Sequence, residues 1–390
     1  MPSLRKFLLS ASAALALSLG GAAASAQTPG RGPGAGQNFG LPHDPPAEFA
    51  KGTTTVVEPA PGLIGPEART GRIVDAANAF LATLTDEQKA KATFAFEDAA
   101  QRKRWSNLPD GSVNRAGIRL GEMKATQKWA LWNLLAQLLS PQGMRMINDQ
   151  AAAEDILKVT EPTQTRGARF GSAYFFTAIL GAPSTAAPWE LQFGAHHLAV
   201  NATIVGPHVT LSPTMTGGQP LKYIDRDGKP VYITEDEARR GLALLESLTP
   251  AQRRKAVVGA RSINLVLGPG HDGQLLQPEG LPASQMTAAQ KAQLLGVIEA
   301  RLGMLNADTH AQVITAIRKD LDKTWFGWWG PTDQLGVAYF RVTGPTLVIE
   351  FSPQGPDERF PLYADHAHNM YRDPTNEYGA AWITAKQPGR

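Results

Sequence analysis

Apolar positions fall into two alternating regimes along this chain. After Met123-Lys124-Ala125-Thr126-Gln127-Lys128, and again after Met286-Thr287-Ala288-Ala289-Gln290-Lys291, leucines return at helical spacing. Farther on, short apolar runs such as Trp189-Glu190-Leu191-Gln192-Phe193 and Leu347-Val348-Ile349-Glu350-Phe351 read as strands. Leu84-Thr85-Asp86-Glu87-Gln88-Lys89-Ala90-Lys91-Ala92 is echoed by Leu248-Thr249-Pro250-Ala251-Gln252-Arg253-Arg254-Lys255-Ala256, each with a threonine placed to cap a helix. Ala173-Tyr174-Phe175-Phe176 is set against Ala338-Tyr339-Phe340, and the Trp189 strand against the Leu347 strand. The pattern predicts an α+β fold of two tandem pseudo-repeats, each several helices followed by an antiparallel β-meander, and disfavours parallel βαβ architecture. Strands are expected through His197 to Val205 and His208 to Pro213. Tyr223 to Tyr232 reads as a hairpin whose Asp-x-Asp-Gly makes a turn, being too short for a calcium loop.

The ends fit a different logic. Arg5-Lys6, the apolar run Phe7 to Leu19 and Ala24-Ser25-Ala26 form a signal-peptide pattern, with cleavage expected after Ala26. Ser3 to Leu8 echoes a twin-arginine signal with lysine in place of the second arginine, and general secretion is the preferred route. The expected location is the periplasm or the medium, with no membrane insertion after cleavage. Residues 27–66, dense in Pro and Gly, read as a mobile arm that cannot bury enough surface to offset its ordering entropy. The first repeat is expected over 67–233 and the second over 234–390, packed as one unit.

Charge and cysteine content narrow the chemistry. Of 38 Lys+Arg, two lie in the leader, leaving 36 against 35 Asp+Glu, so a nucleic-acid partner is not expected. There is no cysteine, which excludes zinc-thiolate and iron-sulfur sites. Four of the eight histidines fall in two pairs, His196-His197 and His366-x-His368, each after an aromatic-ended strand. Imidazole is the commonest metal ligand, and an extended His-x-His puts both rings on one face. Strand parity would set His196 and His197 on opposite faces, which favours His197, beside Asn201, for a polar site and makes His196 a core residue bonded to backbone. Glu350, inside an apolar run, reads either as metal ligand or general base, or as the partner of Arg372 or Arg341 in an ion pair; Gln192 is its match in the first half. Arg372-Asp373 could bind an anionic substrate or fasten the C-terminal loop. Trp325, Trp328 and Trp329 could stack on a planar or sugar face or form core.

Several of these segments resemble one known family. Gly194-Ala195-His196-His197-Leu198-Ala199-Val200-Asn201, Ser212-Pro213-Thr214, Phe326-Gly327-Trp328-Trp329-Gly330, Tyr339-Phe340-Arg341-Val342-Thr343-Gly344-Pro345, Ile349-Glu350-Phe351 and His366-Ala367-His368-Asn369-Met370-Tyr371-Arg372-Asp373-Pro374 followed by Tyr378-Gly379 are similar to the uncharacterised bacterial family called domain of unknown function 3500. Ala195 stands where that family usually has glycine, and Ser352 to Asp365 is longer and different. The resemblance implies no activity. Two readings remain. In one the protein is a secreted metal-dependent enzyme, hydrolytic by default or else an oxidoreductase. There His197, His366 and His368, with His196 nearby, bind Zn, Cu or Fe, Glu350, Arg372 and Asp373 serve the chemistry, and Asn201, Trp328, Trp329 and Arg341 contact substrate. In the other it is a non-catalytic periplasmic protein that holds a small-molecule or carbohydrate-like ligand in a cleft between the halves.

Overall fold

The computed structural model describes residues 62–161, 167–354 and 365–386. The signal segment 1–26 and most of the arm lie outside the described residues. The first helices are α1 (Pro66–Thr83), α2 (Asp86–Ala92), α3 (Ala99–Arg102), α4 (Ala125–Leu138) and α5 (Pro141–Thr160), interrupted by the short strands β1 (Thr93–Phe94) and β2 (Ile118–Arg119). Strands β3 (Phe176–Leu180), β4 (Trp189–Ala195), β5 (Leu198–Val205), β6 (His208–Thr210) and β7 (Thr214–Gly218) follow, then a hairpin of β8 (Lys222–Ile224) and β9 (Pro230–Tyr232). Helices α6 (Glu235–Ser247), α7 (Pro250–Ala256), α8 (Ala288–Leu302) and α9 (Ala307–Lys319) come next, with β10 (Val257–Gly259) and β11 (Leu281–Pro282) among them. Strands β12 (Trp325–Trp329), β13 (Tyr339–Gly344), β14 (Leu347–Pro353) and β15 (Ala367–Arg372) precede the closing α10 (Ala380–Lys386). The fold is therefore α+β around a mixed sheet.

Helix starts follow the capping chemistry that the sequence carries. Thr85 and Thr249 each accept from the backbone N–H three residues on, and Gln88 and Gln252 return the bond to the capping residue. The same glutamines then reach sideways: Gln88 pairs with Gln127 at the start of α4, and Gln252 with Gln290 at the start of α8. Gln127 also donates to the Thr83 carbonyl and Gln290 to the Ser247 carbonyl, both at 2.9 Å. Gly117 and Gly280 stand directly before β2 and β11 at φ +109° and +99°, where a side chain would strike the carbonyls of Thr177 and Phe326.

The main sheet runs β1-β3-β4-β5-β7-β15-β14-β13-β12-β10, with β2, β6 and β11 paired beside this path. Its centre is β7 against β15, an antiparallel pairing from Ala367 opposite Gly218 to Tyr371 opposite Thr214. The meander expectation misses the flanks, where β1 pairs with β3 and β10 with β12 in parallel. Ala173 to Phe176 is also not a strand throughout: Ser172–Tyr174 makes a 3-10 turn, and β3 begins at Phe176. The hairpin at Tyr223 to Tyr232 forms as the sequence suggests, with Asp225 accepting from the backbone of Asp227 and Lys229.

Side-chain alternation gives the sheet two unlike faces. Leu191, Phe193, Val200, Ile349, Phe351, Phe340 and Val342 lie on the face covered by helices. There Trp132 of α4 meets Phe193 edge-on at 5.8 Å, and α6 crosses Phe340 so closely at Gly241 that no larger residue fits without displacing the ring. The opposite face carries the polar set Glu190, Gln192, Asn201, His368, Glu350, Arg341 and Arg372 under the loops 103–117 and 260–280. Trp105 and Leu265 from those loops cover Ala199, Met215 and Met370. Most of this buried polar layer is hydrogen-bonded, much of it to the loops, so this face fixes the loops that lie on it.

The two glutamine pairs hold helix starts together through buried amides. Gln127→Ala and Gln290→Ala should each lower unfolding free energy by about 1–3 kcal/mol, the cost of leaving buried carbonyls and amides unpaired. Urea denaturation followed by circular dichroism reads this directly, and an unchanged midpoint would remove the networks from the fold's support.

Candidate metal centre

His196 and His197 are not strand residues. They are the two-residue turn between β4 and β5, whose flanking pair is Ala195 opposite Leu198, so strand parity does not separate them. Both rings turn toward α5. There the buried Glu154 Oε1 bonds His196 Nδ1 at 2.8 Å and His197 Nδ1 at 2.7 Å. His368 projects from the start of β15 on the loop face of the sheet, opposite Gly217 of β7 and Ser352 of β14, and His366 precedes it by two residues. The central pairing of β7 with β15 thus delivers both second-half histidines to the β4–β5 turn. His197 Nε2 lies 2.9 Å from His366 Nε2, and His366 Nε2 lies 3.1 Å from His368 Nε2.

The carboxylate decides the tautomer. Bonded to Glu154, the Nδ1 atoms of His196 and His197 carry the protons, which leaves each Nε2 with its lone pair available. His197 thus presents an acceptor to His366, while His366 has at most one Nε2 proton to share between two neighbouring ring nitrogens. Burial and the neighbouring imidazoles hold all three converging rings neutral. His197 is lowered to about 4 and His366 to about 2, each chiefly by burial, and His368 is driven well below the ordinary histidine range for the same reason. Glu154 moves the other way from what burial alone would do: His196 and His197 hold its carboxyl far below the usual range. Neutral imidazoles with a converging edge and an ionised carboxylate behind them are the state that a metal ion requires of its ligands.

The spacing agrees with that reading. Nitrogens about 2.0–2.1 Å from a common ion, at angles between 90° and tetrahedral, stand roughly 2.9–3.4 Å apart. The two Nε2 separations fall inside that range. His196, His197 and His366 each offer a ring nitrogen, all within 4.8 Å of one another, so a divalent metal can be held by a group that includes His196. The His196 ring lies 3.6 Å from that of His197 and meets Phe170 at 5.4 Å on its other side. Among the described residues His368 Nδ1 finds no hydrogen-bond partner.

The remaining residues that the sequence singles out are engaged elsewhere on the loop face. Glu350 accepts from the backbone N–H of Val266 and Leu267 and from the Tyr339 hydroxyl, at 2.7–2.8 Å, and so anchors the loop 260–280. Neither Arg341 nor Arg372 is its ion-pair partner. Arg372 donates to the carbonyls of Leu267 and Gly268 and pairs with Glu377 and Asp272. Asp373 turns the chain by accepting from Thr375, and its own N–H donates to Ser212 Oγ. Asn201 donates to the Pro213 carbonyl. Trp328 stacks on Phe340 at 5.9 Å, Trp329 packs edge-on against Tyr339, and Arg341 lies over Trp329 while pairing with Glu279. Of the sequence-derived set, the structure brings together His196, His197, His366 and His368. The residue that sequence reasoning missed is Glu154, one glutamate in the run Ala151-Ala152-Ala153-Glu154-Asp155, buried on a face of α5 that it shares with Ile147, Gln150, Ala151 and Leu157.

A family model described as "Protein of unknown function (DUF3500)" matches residues 66–380. No curated protein and no solved structure matches this chain. Among the described residues, no helix is long and apolar enough to cross a membrane.

The depressed histidines fix how metal-free protein responds to acid. The unfolded chain takes up these protons below about pH 6.5 while the folded chain refuses them. Their contribution is therefore complete above pH 6.5 and is lost as pH falls toward 4, at about 1.4 kcal/mol per pH unit for each histidine. In EDTA-treated protein the urea midpoint should fall between pH 7 and pH 5, and His366→Gln with His368→Gln should flatten the fall. Equal pH slopes in the two proteins would mean that these rings do not titrate with folding.

Proposed function

The chain belongs to the DUF3500 family of proteins of unknown function, and we propose that it is a metal-dependent enzyme whose divalent ion is held by the Nε2 atoms of His197, His366 and His368. The observation that supports this is the row of Nε2 atoms, His197 to His366 at 2.9 Å and His366 to His368 at 3.1 Å, with the His197 tautomer fixed by Glu154. Three nitrogen ligands leave a tetrahedral ion one open position, which distinguishes catalytic sites from closed structural ones. Hydrolysis is the chemistry best suited to that position. A metal held by these residues would supply acidified water near neutral pH, and the Nε2 lone pair of His196, on the same turn as His197, would be available to take a proton. Among candidate ions zinc fits best, since imidazoles with a carboxylate hydrogen-bonded behind them form its common catalytic set. Copper or iron would carry an oxidative reaction instead.

The same reading makes the site a product of duplication. Its support is the matched glutamine networks, the matched glycines before β2 and β11, and a sheet that meets the same succession of strands from either edge. In this correspondence β4 matches β13 and β5 matches β14, so Glu350 answers to Asn201 rather than to Gln192, and the His196-His197 turn answers to Pro345-Thr346. The place related to the histidine centre then lacks its histidines, and the molecule has one centre built from both halves.

We further propose export by the segment 1–26, which lies outside the described residues. N-terminal sequencing of protein from the periplasm or medium should begin at Gln27, and an uncleaved start there would remove the assignment.

Elemental analysis of the purified full chain tests the central claim. Wild-type protein should carry about one equivalent of transition metal, and His366→Ala with His368→Ala should carry none. Glu154→Gln should weaken binding about 10- to 100-fold, the usual cost of losing a carboxylate behind a ligating histidine. Metal retained stoichiometrically in the double variant would sink the ligand assignment, and a metal-free wild type after reconstitution would leave a ligand-binding protein as the better reading.

A further inference from the structure

A groove opens on the flank of the histidine turn. Its volume is about 450 Å³, and its walls include Asp110, Arg115, Arg119, Arg169 and Phe176. Three guanidinium groups line it. The Asp110 carboxylate is already taken, bonded by Arg169 Nε at 2.7 Å, and Arg119 reaches Glu122 at 3.3 Å. Arg115 makes no ion pair among the described residues, although the Asp110 and Glu154 carboxylates lie near enough to act on it. Its Nη2 donates only to main-chain carbonyls, those of Ser106, Leu108 and Ala195, and its Nη1 is buried with no hydrogen bond. A largely enclosed guanidinium with no carboxylate in direct contact is uncommon, because desolvating an ion costs several kcal/mol unless an opposite charge closely faces it. Burial accordingly lowers the Arg115 pKa to about 10.

Two walls of this groove adjoin residues next to the histidine turn. Arg115 bonds the carbonyl of Ala195, the residue before His196, at 3.2 Å. Arg169 is followed by Phe170, whose ring lies against His196 at 5.4 Å. Arg115 and Phe176 also line a second, smaller pocket of about 30 Å³, bordered by Gln101, Gln192 and Asn201, where Gln101 Oε1 is buried without a partner. That space holds a water or two and no larger group.

We propose that this groove binds the oxyanion-bearing part of the substrate, a carboxylate, sulfate or phosphate group, with Arg115 as the specificity-determining residue that receives it. The planar guanidinium supplies the donor fork such groups match, and its Nη1, buried without a hydrogen bond, has no existing bond for an oxyanion to displace. An anion seated there lies against the turn that carries His196 and His197, so the rest of the molecule is directed toward the converging nitrogens. Its role as substrate anchor rests on the metal-centre reading, while its capacity to bind an oxyanion does not.

Isothermal titration of the zinc-reconstituted full chain with inorganic phosphate, inorganic sulfate and acetate, at ionic strength held constant with sodium chloride, tests the assignment and tells the three groups apart. At least one should bind saturably, and Arg115→Ala should raise its Kd about 10- to 100-fold, the range expected for a lost charge-assisted bond, with metal content unchanged. Should the alanine variant not fold by circular dichroism, Arg115→Lys decides: it keeps the charge without the fork and should bind about tenfold more weakly. Equal affinity in wild type and the folded Arg115 variant, or no saturable binding to wild type, overturns the proposal. Arg115-dependent binding that survives in His366→Ala with His368→Ala supports the groove as an oxyanion site. If wild type also proves metal-free, the metal-centre reading fails alone.

Discussion

One carboxylate oxygen governs the chemistry of this molecule. Glu154 Oε1 is buried in α5 and bonded by two imidazoles at once, at 2.8 and 2.7 Å. A buried carboxylate would ordinarily be driven toward its neutral form, and here two N–H donors reverse that tendency. The anion in turn sets the protons on Nδ1 and turns two Nε2 lone pairs the other way. Without it, His196 and His197 would be a pair of buried rings free to take either tautomer. With it they form a pre-set edge, fixed on one side by a helix and on the other by a two-residue turn that allows little rotation.

The second constraint is the junction of β7 with β15. Sheet register there is not adjustable, because Gly217 sits opposite His368 with the Ala367 carbonyl where a β-carbon would be, and a slip of one residue would turn His368 to the helix face. The junction is pinned beneath as well. Asn369, beside His368, bonds Glu237 of α6, and Arg301 of α8 donates to Thr216 and Thr214 of β7 while lying 3.7 Å from the same glutamate. Burial raises the Glu237 carboxyl to about 7 despite Arg301. Helices of the second half therefore hold the register that presents histidines to the first.

Much of this arrangement is legible in the sequence where the physics is local. Thr85, Thr249 and Thr287 announce helix starts because a capping bond spans three residues, and the structure puts helices there. The histidine pairs stand out by composition alone. What fails is whatever depends on partners distant in the chain. Glu154 is 42 residues from His196, in a helix whose alanines give no hint that one face meets a ring. The parity argument about His196 and His197 assumes a continuous strand, and nothing in Gly194-Ala195-His196-His197 resembles the Asn-Gly or Asp-Gly signals of tight hairpins. Glu350 misleads for a related reason. A lone acid in an apolar strand signals a buried demand for donors, and the loop 260–280 meets it with backbone N–H groups that carry no sequence signature.

The asymmetry of the site follows from the same geometry. A centre that joins the two halves across β7 and β15 sits off the midline of the sheet, so a symmetric molecule would carry it twice, once on each side. Each copy would need a polar turn, a histidine-bearing strand start and an acid on a helix. The second location has Pro345-Thr346 in its turn, which offers no imidazole, while Glu350, Arg372 and Tyr339 on that side tie down the loop 260–280. The two sides of the polar face are engaged differently: one uses its charged groups to fasten a loop, and the other leaves Arg115 Nη1 and His368 Nδ1 buried without a hydrogen bond. Unspent donors and lone pairs of that kind are costly to stability, and an occupant that met them would recover part of that cost.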